Sequence, residues 1–392
     1  MLHTPGETDD QITVWLPEKR VVLPADNIYK SFPNLYAIRG SQTRDANQWV
    51  QSLDRVRELK AEYMVPSHTE AVIGEDKIED ILVHYRDGIQ YVHDQTVRWL
   101  NYALTPDEII EKVILPPKLS NHEYLQEFYG TVAWSVRGIF ETYLGWFDGK
   151  PENLYPLSQK DHFQKLARLL ESGNTGGNGN SRLVADAEKS LWRSMENLRD
   201  HNLHLTDELQ WALELSSGVV AATDPTDPDH KRAKATEIKC LRELASSTSN
   251  ANSRNYYLTY ANELEQGFTA GPSDATLDMA KLQLDVENIM INFRYRLRAE
   301  ECDDSSVFVV VFAFTDVNRT FSYKLRHCVF ESRTDPEEPH PNADATLTLP
   351  LMLYRRILRK EAGFLSSYMN GDLKLEGSLL LFKKFIGLNS LS

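Results

Sequence analysis

The chain is poor in cysteine, in positive charge and in long apolar runs. Its 392 residues include 3 cysteines, and 43 lysines and arginines stand against 57 aspartates and glutamates. The most apolar stretch, Val307 to Phe314, is strand length and falls short of the roughly 18 residues of a membrane span. No membrane span is expected. The net charge of −14 sets up an overall field that repels a phosphate backbone and argues against general nucleic-acid binding. Cys240, Cys302 and Cys328 are far apart and odd in number. They make neither a CxxC zinc signature nor an evident disulfide framework, and free thiols favour a reducing compartment. The start, Met1 to Asp10, is acidic and lacks the basic-then-apolar pattern of a secretory signal, so the protein is expected inside the cell unless its true beginning lies upstream.

Hydrophobic residues make up 41% and charged residues 26% of the chain, enough apolar material for two or three domains with cores of their own. Gln11 to Leu16, Lys19 to Leu23 and Tyr63 to Pro66 read as short strands. Ala46 to Leu59 reads as a helix with Trp49, Leu53, Val56 and Leu59 on one face. A strand, a helix and a strand that ends at Ser67-His68 suggest an α/β unit, in which functional groups sit where strands stop. From Lys77 the periodicity is helical for almost two hundred residues. One helix spans Ile78 to Tyr102, and another starts at Thr105, where an N-cap threonine precedes Pro106 and two acids. Gly173 to Asn180 resembles a phosphate cradle, but no Gly-Lys-Ser/Thr follows and no strand precedes, so it reads as a linker. Further helices span Arg182 to Gly218 and Arg232 to Ala245. After Pro272 the pattern turns to α+β, with strands at Val307 to Phe314, Thr320 to Leu325, Cys328 to Ser332, Ala345 to Leu349 and Leu373 to Gly377.

Four stretches, in order, carry a family resemblance. They are Leu16 to Arg20 running on through Ala25-Asp26-Asn27 to Asn34 to Gly40 and Arg44 to Ala46; His93-Asp94-Gln95-Thr96; Tyr143 to Gly149; and Arg254 to Thr259 with Glu263-Leu264. Together they resemble alkyl sulfatases of the metallo-β-lactamase superfamily. Asp344 to Leu349 and Met369 to Gly377 are similar to the sterol-carrier-like domain that ends these enzymes. The resemblance implies a multidomain α and α+β protein. Residues 1–75 would be a partial metallo-β-lactamase-like α/β segment, residues 76–270 an all-α helical dimerisation domain, and residues 275–392 an α+β sterol-carrier-like domain. It further implies a homodimer that hydrolyses linear primary alkyl sulfates such as dodecyl sulfate with two zinc ions, which polarise sulfate oxygens and lower the pKa of bound water.

Set against that family, the chain contains no His-x-His-x-Asp-His string and is expected to begin inside the hydrolase domain. Gln11 and Asp26 fall where glutamate ligands are expected, and His68 falls on the late histidine ligand. Asp26 and His68 are therefore the metal candidates, while a neutral glutamine is a poor ligand. His201 and His204, at i and i+3, form the nearest histidine pair but lie deep in the helical region. Arg39 falls on the sulfate-binding arginine, where a planar guanidinium grips two oxygens, or else it pairs with a nearby acid. Asn34 either donates to the same anion or caps the Phe32-Pro33 turn. Tyr143 serves either as acid or sulfate donor at the active-site rim or, with Phe140 and Trp146, as core packing. Two readings follow: a zinc-dependent alkyl sulfatase missing its first half, or a non-catalytic dimeric scaffold that binds apolar-chain ligands. The aromatic density from Tyr124 to Phe147 suits an interface as well as a core, and Phe364, Leu365, Leu379 to Phe382 and Phe385 either line a lipid cavity or fill a core.

Overall fold

In this computed structural model the described residues are 1–37, 40–158, 161–162, 165, 179–197, 205–248, 251–267, 285–335, 340 and 342–389. They form two compact units, one joining Met1–Gly145 with Gly271–Ser392 and the other spanning Trp146–Ala270. Among the described residues no helix is long and apolar enough to cross a membrane.

The first unit opens with a five-stranded sheet in chain order, β1 (Leu2–His3), β2 (Ile12–Leu16), β3 (Val21–Ala25), β4 (Tyr63–Pro66) and β5 (Val72–Ile73). Only β3 and β4 pair in parallel, because a helical crossover, α1 (Ala46–Glu58), joins them. Asp45 caps that helix by accepting from the backbone N–H of Asn47 and Gln48 at 2.8 and 3.0 Å. Trp49, Leu53 and Val56 are buried beneath it, as the spacing predicts. The strand expected at Lys19 begins two residues later. Pro17 opens a 3-10 turn over Pro17–Lys19, and Arg20 leaves it at φ 50°, so the chain extends only from Val21.

The centre of this unit is α2 (Glu75–Leu100), which is buried almost all round from Tyr85 to Arg98. The buried residues include Arg86, Asp87, Gln90, His93, Asp94, Gln95 and Arg98, so their polar groups must find partners inside the protein. Around it lie α3 (Pro106–Lys112), α4 (Pro117–Ser120), a 3-10 turn at Glu123–Leu125, and α5 (Val132–Leu144). The expected start at Thr105 is a complete capping box, with Thr105 and Glu108 each bonding the other's backbone.

The second unit is all helical. It contains α6 (Gly179–Asn197), α7 (Leu205–Ala222), α8 (Pro228–Ser247) and α9 (Ala251–Gln266), each packed on the next. Leu191, Leu209, Leu213, Leu241, Leu244 and Tyr257 make its core. The helices expected from Arg182 to Gly218 are here α6, ending at Asn197, and α7, starting at Leu205. Most of the glycine-rich stretch after Gly173 and the pair His201 and His204 lie outside the described residues.

The chain then returns to the first unit with α10 (Val286–Arg296) and a second five-stranded sheet: β6 (Phe308–Phe314), β7 (Arg319–Arg326), β8 (Val329–Thr334), β9 (Ala345–Leu349) and β10 (Lys374–Gly377), in the order β10-β9-β6-β7-β8. Only the central pair β6–β9 is parallel. The helices α11 (Leu351–Leu358), α12 (Phe364–Met369) and α13 (Leu379–Leu388) complete the domain. Phe312, Tyr323 and Phe330 of the sheet meet Met290, Tyr354, Phe382 and Phe385 of the helices in one core. The expectation of free thiols is corrected here: Cys302 and Cys328 form a disulfide, their Cα atoms 5.7 Å apart, and Cys240 alone is free and buried. Their 26-residue separation hid the pairing. The β7–β8 hairpin turns on His327 and Cys328, both at positive φ, and so returns Cys328 to Cys302.

Candidate functional site

Because β3 and β4 are parallel, their carboxyl ends lie at the same edge of the sheet, and that edge is where an α/β unit presents functional groups. Asp26 follows β3 and His68 lies two residues beyond β4. Their side chains meet, with His68 Nδ1 2.5 Å from Asp26 Oδ1. The His68 side chain is 72% exposed, so its ring is open to solvent. Gln11 turns its amide to the carbonyl of Ile12, at 3.2 Å. Among the described residues no third histidine, cysteine or carboxylate gathers at Asp26 and His68. A catalytic zinc takes three protein ligands and a structural zinc four. The described residues therefore do not by themselves fit the zinc centre implied by the resemblance.

The other expected site residues have other partners. Asn34 is buried, its backbone N–H donates to the Tyr29 hydroxyl at 2.7 Å, and its side-chain Oδ1 has no hydrogen-bond partner. Arg39 lies outside the described residues. The half-exposed Tyr143 is joined to His93, with its hydroxyl 2.9 Å from Nε2.

That contact belongs to a buried relay which sequence reasoning missed. His93 Nδ1 lies 2.8 Å from Asp94 Oδ1, so Nδ1–H donates to the carboxylate and Nε2 accepts from Tyr143 and, at 3.1 Å, from Asn47 Nδ2. Arg294 grips both oxygens of Asp94, at 3.0 and 2.9 Å, and also reaches Asn47. Burial pushes the Asp94 carboxyl up, but the Arg294 guanidinium and the His93 hydrogen bond outweigh it and hold the pKa at about 2. Burial and the charges of Asp94 and Asp45 raise that of Tyr143, which stays a phenol. The relay orients Tyr143 and engages its proton. The signal in the sequence was the adjacent pair His93-Asp94 on α2, but the partner Arg294 lies 200 residues away.

A second buried group on α2 is structural. Arg326 donates to both oxygens of Asp87, at 2.7 and 2.8 Å, and to Glu331 at 2.9 Å, while Arg86 and His327 complete Asp87 at 2.7 and 2.9 Å. In the C-terminal domain, an apolar cavity of about 560 Å³ is lined by Phe293, Phe312, Leu347, Tyr354, Phe364 and Phe382, among others, with Arg296 and Lys383 also in its wall. Burial lowers the pKa of Arg296, with the phenols of Tyr354 and Tyr102 acting the other way. Among the described residues no carboxylate is seen to act on it.

Comparison with known proteins agrees with this layout. Family models match in chain order: the metallo-β-lactamase superfamily over residues 1–68, alkyl sulfatase dimerisation over 105–267 and the alkyl sulfatase C-terminal domain over 273–390. A linear primary-alkylsulfatase of Pseudomonas sp. is 35% identical over 402 residues, covering 98% of this chain and 70% of that protein. The alkyl/aryl-sulfatase BDS1 of Saccharomyces cerevisiae is 26% identical, with 98% of this chain and 56% of that protein covered. The solved stereoselective inverting sec-alkylsulfatase Pisa1 from Pseudomonas sp. is 24% identical, with a TM-score of 0.43, and the match covers 100% of this chain and 58% of that one. The chain thus spans little more than half the length of some of these relatives. With its three modules in the family's order, the chain belongs to the alkyl sulfatases of the metallo-β-lactamase superfamily.

Proposed function

We propose that this chain serves the hydrolysis of linear primary alkyl sulfates of the dodecyl sulfate type to alcohol and sulfate, and that its described residues supply the substrate-holding part. The observation that carries this reading is the C-terminal cavity, apolar except for a few polar groups and bearing Arg296, on which no carboxylate acts among the described residues. A hydrocarbon tail gains about 0.8 kcal/mol per buried methylene, and a guanidinium matches a sulfate head group. A sterol-carrier-like pocket of this kind takes an anionic amphiphile in preference to a neutral one.

Asp26 and His68 would be the chain's contribution to the binuclear zinc centre of the family, Arg39 and Asn34 would bind the sulfate, and Tyr143 would act at the rim. Zinc supplies the Lewis-acid chemistry of such a centre, and ligands besides Asp26 and His68 are needed to hold it. That shortage favours a second reading, a non-catalytic dimeric scaffold for apolar ligands. The match of residues 105–267 to the dimerisation family supports a homodimer under both readings. The deciding experiment measures zinc content, sulfate release from dodecyl sulfate and mass by light scattering on one sample. The geometry leads us to expect a dimer that binds dodecyl sulfate and releases no sulfate on these residues alone. Zinc-dependent release that His68→Ala abolishes would show instead that the site is complete.

A further inference from the structure

Three imidazoles, those of His84, His122 and His327, lie together beside α2, apart from the Asp26–His68 corner and the His93 relay. His84 stacks on His122, with centroids 4.2 Å apart and planes 7° apart, and lies 4.4 Å from His327. Asp80, one turn before His84 on the same helix, reaches both rings, with one carboxylate oxygen 3.3 Å from His84 Nδ1 and the other 3.4 Å from His122 Nε2. One ligand atom from each of Asp80, His84 and His122 falls within 4.8 Å of the others.

We propose that Asp80, His84 and His122 bind a single divalent transition-metal ion of the zinc class, at a site that shares no residue with Asp26 and His68. Two imidazoles and a carboxylate are the donor set that zinc, cobalt and nickel accept. Ligand bonds of about 2.0–2.1 Å place tetrahedral donors about 3.3–3.4 Å apart, so the donors must close by up to about 1.5 Å from their present 4.8 Å limit. Asp80 is exposed and able to make that adjustment. His84 already has the tautomer a metal requires, because its Nδ1 donates to the Asp80 carbonyl at 2.8 Å and leaves the lone pair on Nε2. His122 must move its proton to Nδ1, giving up a 3.3 Å contact with the Tyr124 N–H. That bond is long and weak, so the exchange is small.

His327 stands by as a fourth donor. Asp87 holds its Nδ1 at 2.9 Å, the carboxylate–imidazole arrangement that orients metal-binding rings. Asp80 and His84 come from α2, His122 from the turn before α5 and His327 from the β7–β8 hairpin. A bound ion would tie the central helix to the first part of the dimerisation family match and, with His327 engaged, to the C-terminal sheet. Its role is to fix these segments to one another.

The test is titration of the metal-free full chain with Co²⁺, read by its visible d–d absorption, with zinc competition and elemental analysis alongside. The wild type is expected to bind one equivalent with a tetrahedral spectrum. His122→Gln and Asp80→Asn should each weaken binding at least tenfold, whereas His68→Ala leaves that equivalent unchanged. Circular dichroism of each variant confirms that it folds, and His122→Gln, on a short turn outside α2, leaves that helix intact. Absence of Co²⁺ binding by the wild type, or binding that survives both substitutions, overturns the proposal. Loss of the ion in His68→Ala alone would overturn it too, by placing the ion at the family's corner.

Discussion

Arg326→Met is expected to destabilise the first unit by about 3–5 kcal/mol, the scale for removing one partner of a buried ion pair. Arg326 makes three charge-assisted hydrogen bonds to Asp87 and Glu331, and Asp87 has no solvent exposure at all. Without the guanidinium, Asp87 keeps Arg86 and His327, but Glu331 falls back on Arg57 at 3.7 Å and Arg333 at 3.4 Å. The pH dependence follows the same network. Burial alone would raise both carboxyls, yet Arg326 with His327 and Arg86 holds Asp87 well below the usual range, and Arg86, Arg326 and Arg57 hold Glu331 at about 2. Both are therefore lowered in the folded state. Their contribution is complete above the unfolded values near 4 and is lost as pH falls towards 2. Urea midpoints for wild type and variant at pH 7 measure the loss, and a change below about 1 kcal/mol would refute the network's role.

The opposite sign is expected in the helical unit. Glu237 is buried on α8, its Oε2 has no hydrogen-bond partner, and burial, with help from the charge of Glu152, raises its pKa to about 8. A carboxyl raised in the folded state stabilises nothing when ionised. Stability is highest below the unfolded value near 4.5 and falls as pH rises towards 8. Glu237→Gln keeps the shape and removes the titration. The variant should gain about 3 kcal/mol over wild type at pH 7 but less than about 1 kcal/mol at pH 5. Two units need not unfold together, so the readout is amide-exchange protection of α8 at both pH values. An equal gain at both would mean that Glu237 is not the titrating group.

What the sequence disclosed was local. The Thr105–Glu108 capping box, the apolar face of Trp49, Leu53 and Val56, and the buried strand Phe308–Phe314 each depend on neighbours within a turn or a strand. The interior of α2 was hidden because helical periodicity assigns Arg86, Asp87, His93 and Asp94 to a solvated face. Their partners, Arg294 and Arg326, come from 200 and 239 residues away, and only the fold brings them near. Asp80, His84 and His122 escaped for the same reason, as did Cys302 and Cys328. At the candidate site, Asp26 and His68 were legible through family order, and the β3–β4 pairing explains why they meet.

Binding of decyl sulfate, titrated calorimetrically below its micelle concentration beside decanol, tests the alkyl sulfate reading most directly. The sulfate is expected to bind at one saturable site per chain, and Arg296→Gln should weaken it about tenfold, some 1.4 kcal/mol, while decanol binding is unchanged. Decyl sulfate that binds no better than decanol, or as well to Arg296→Gln as to the wild type, would contradict the account.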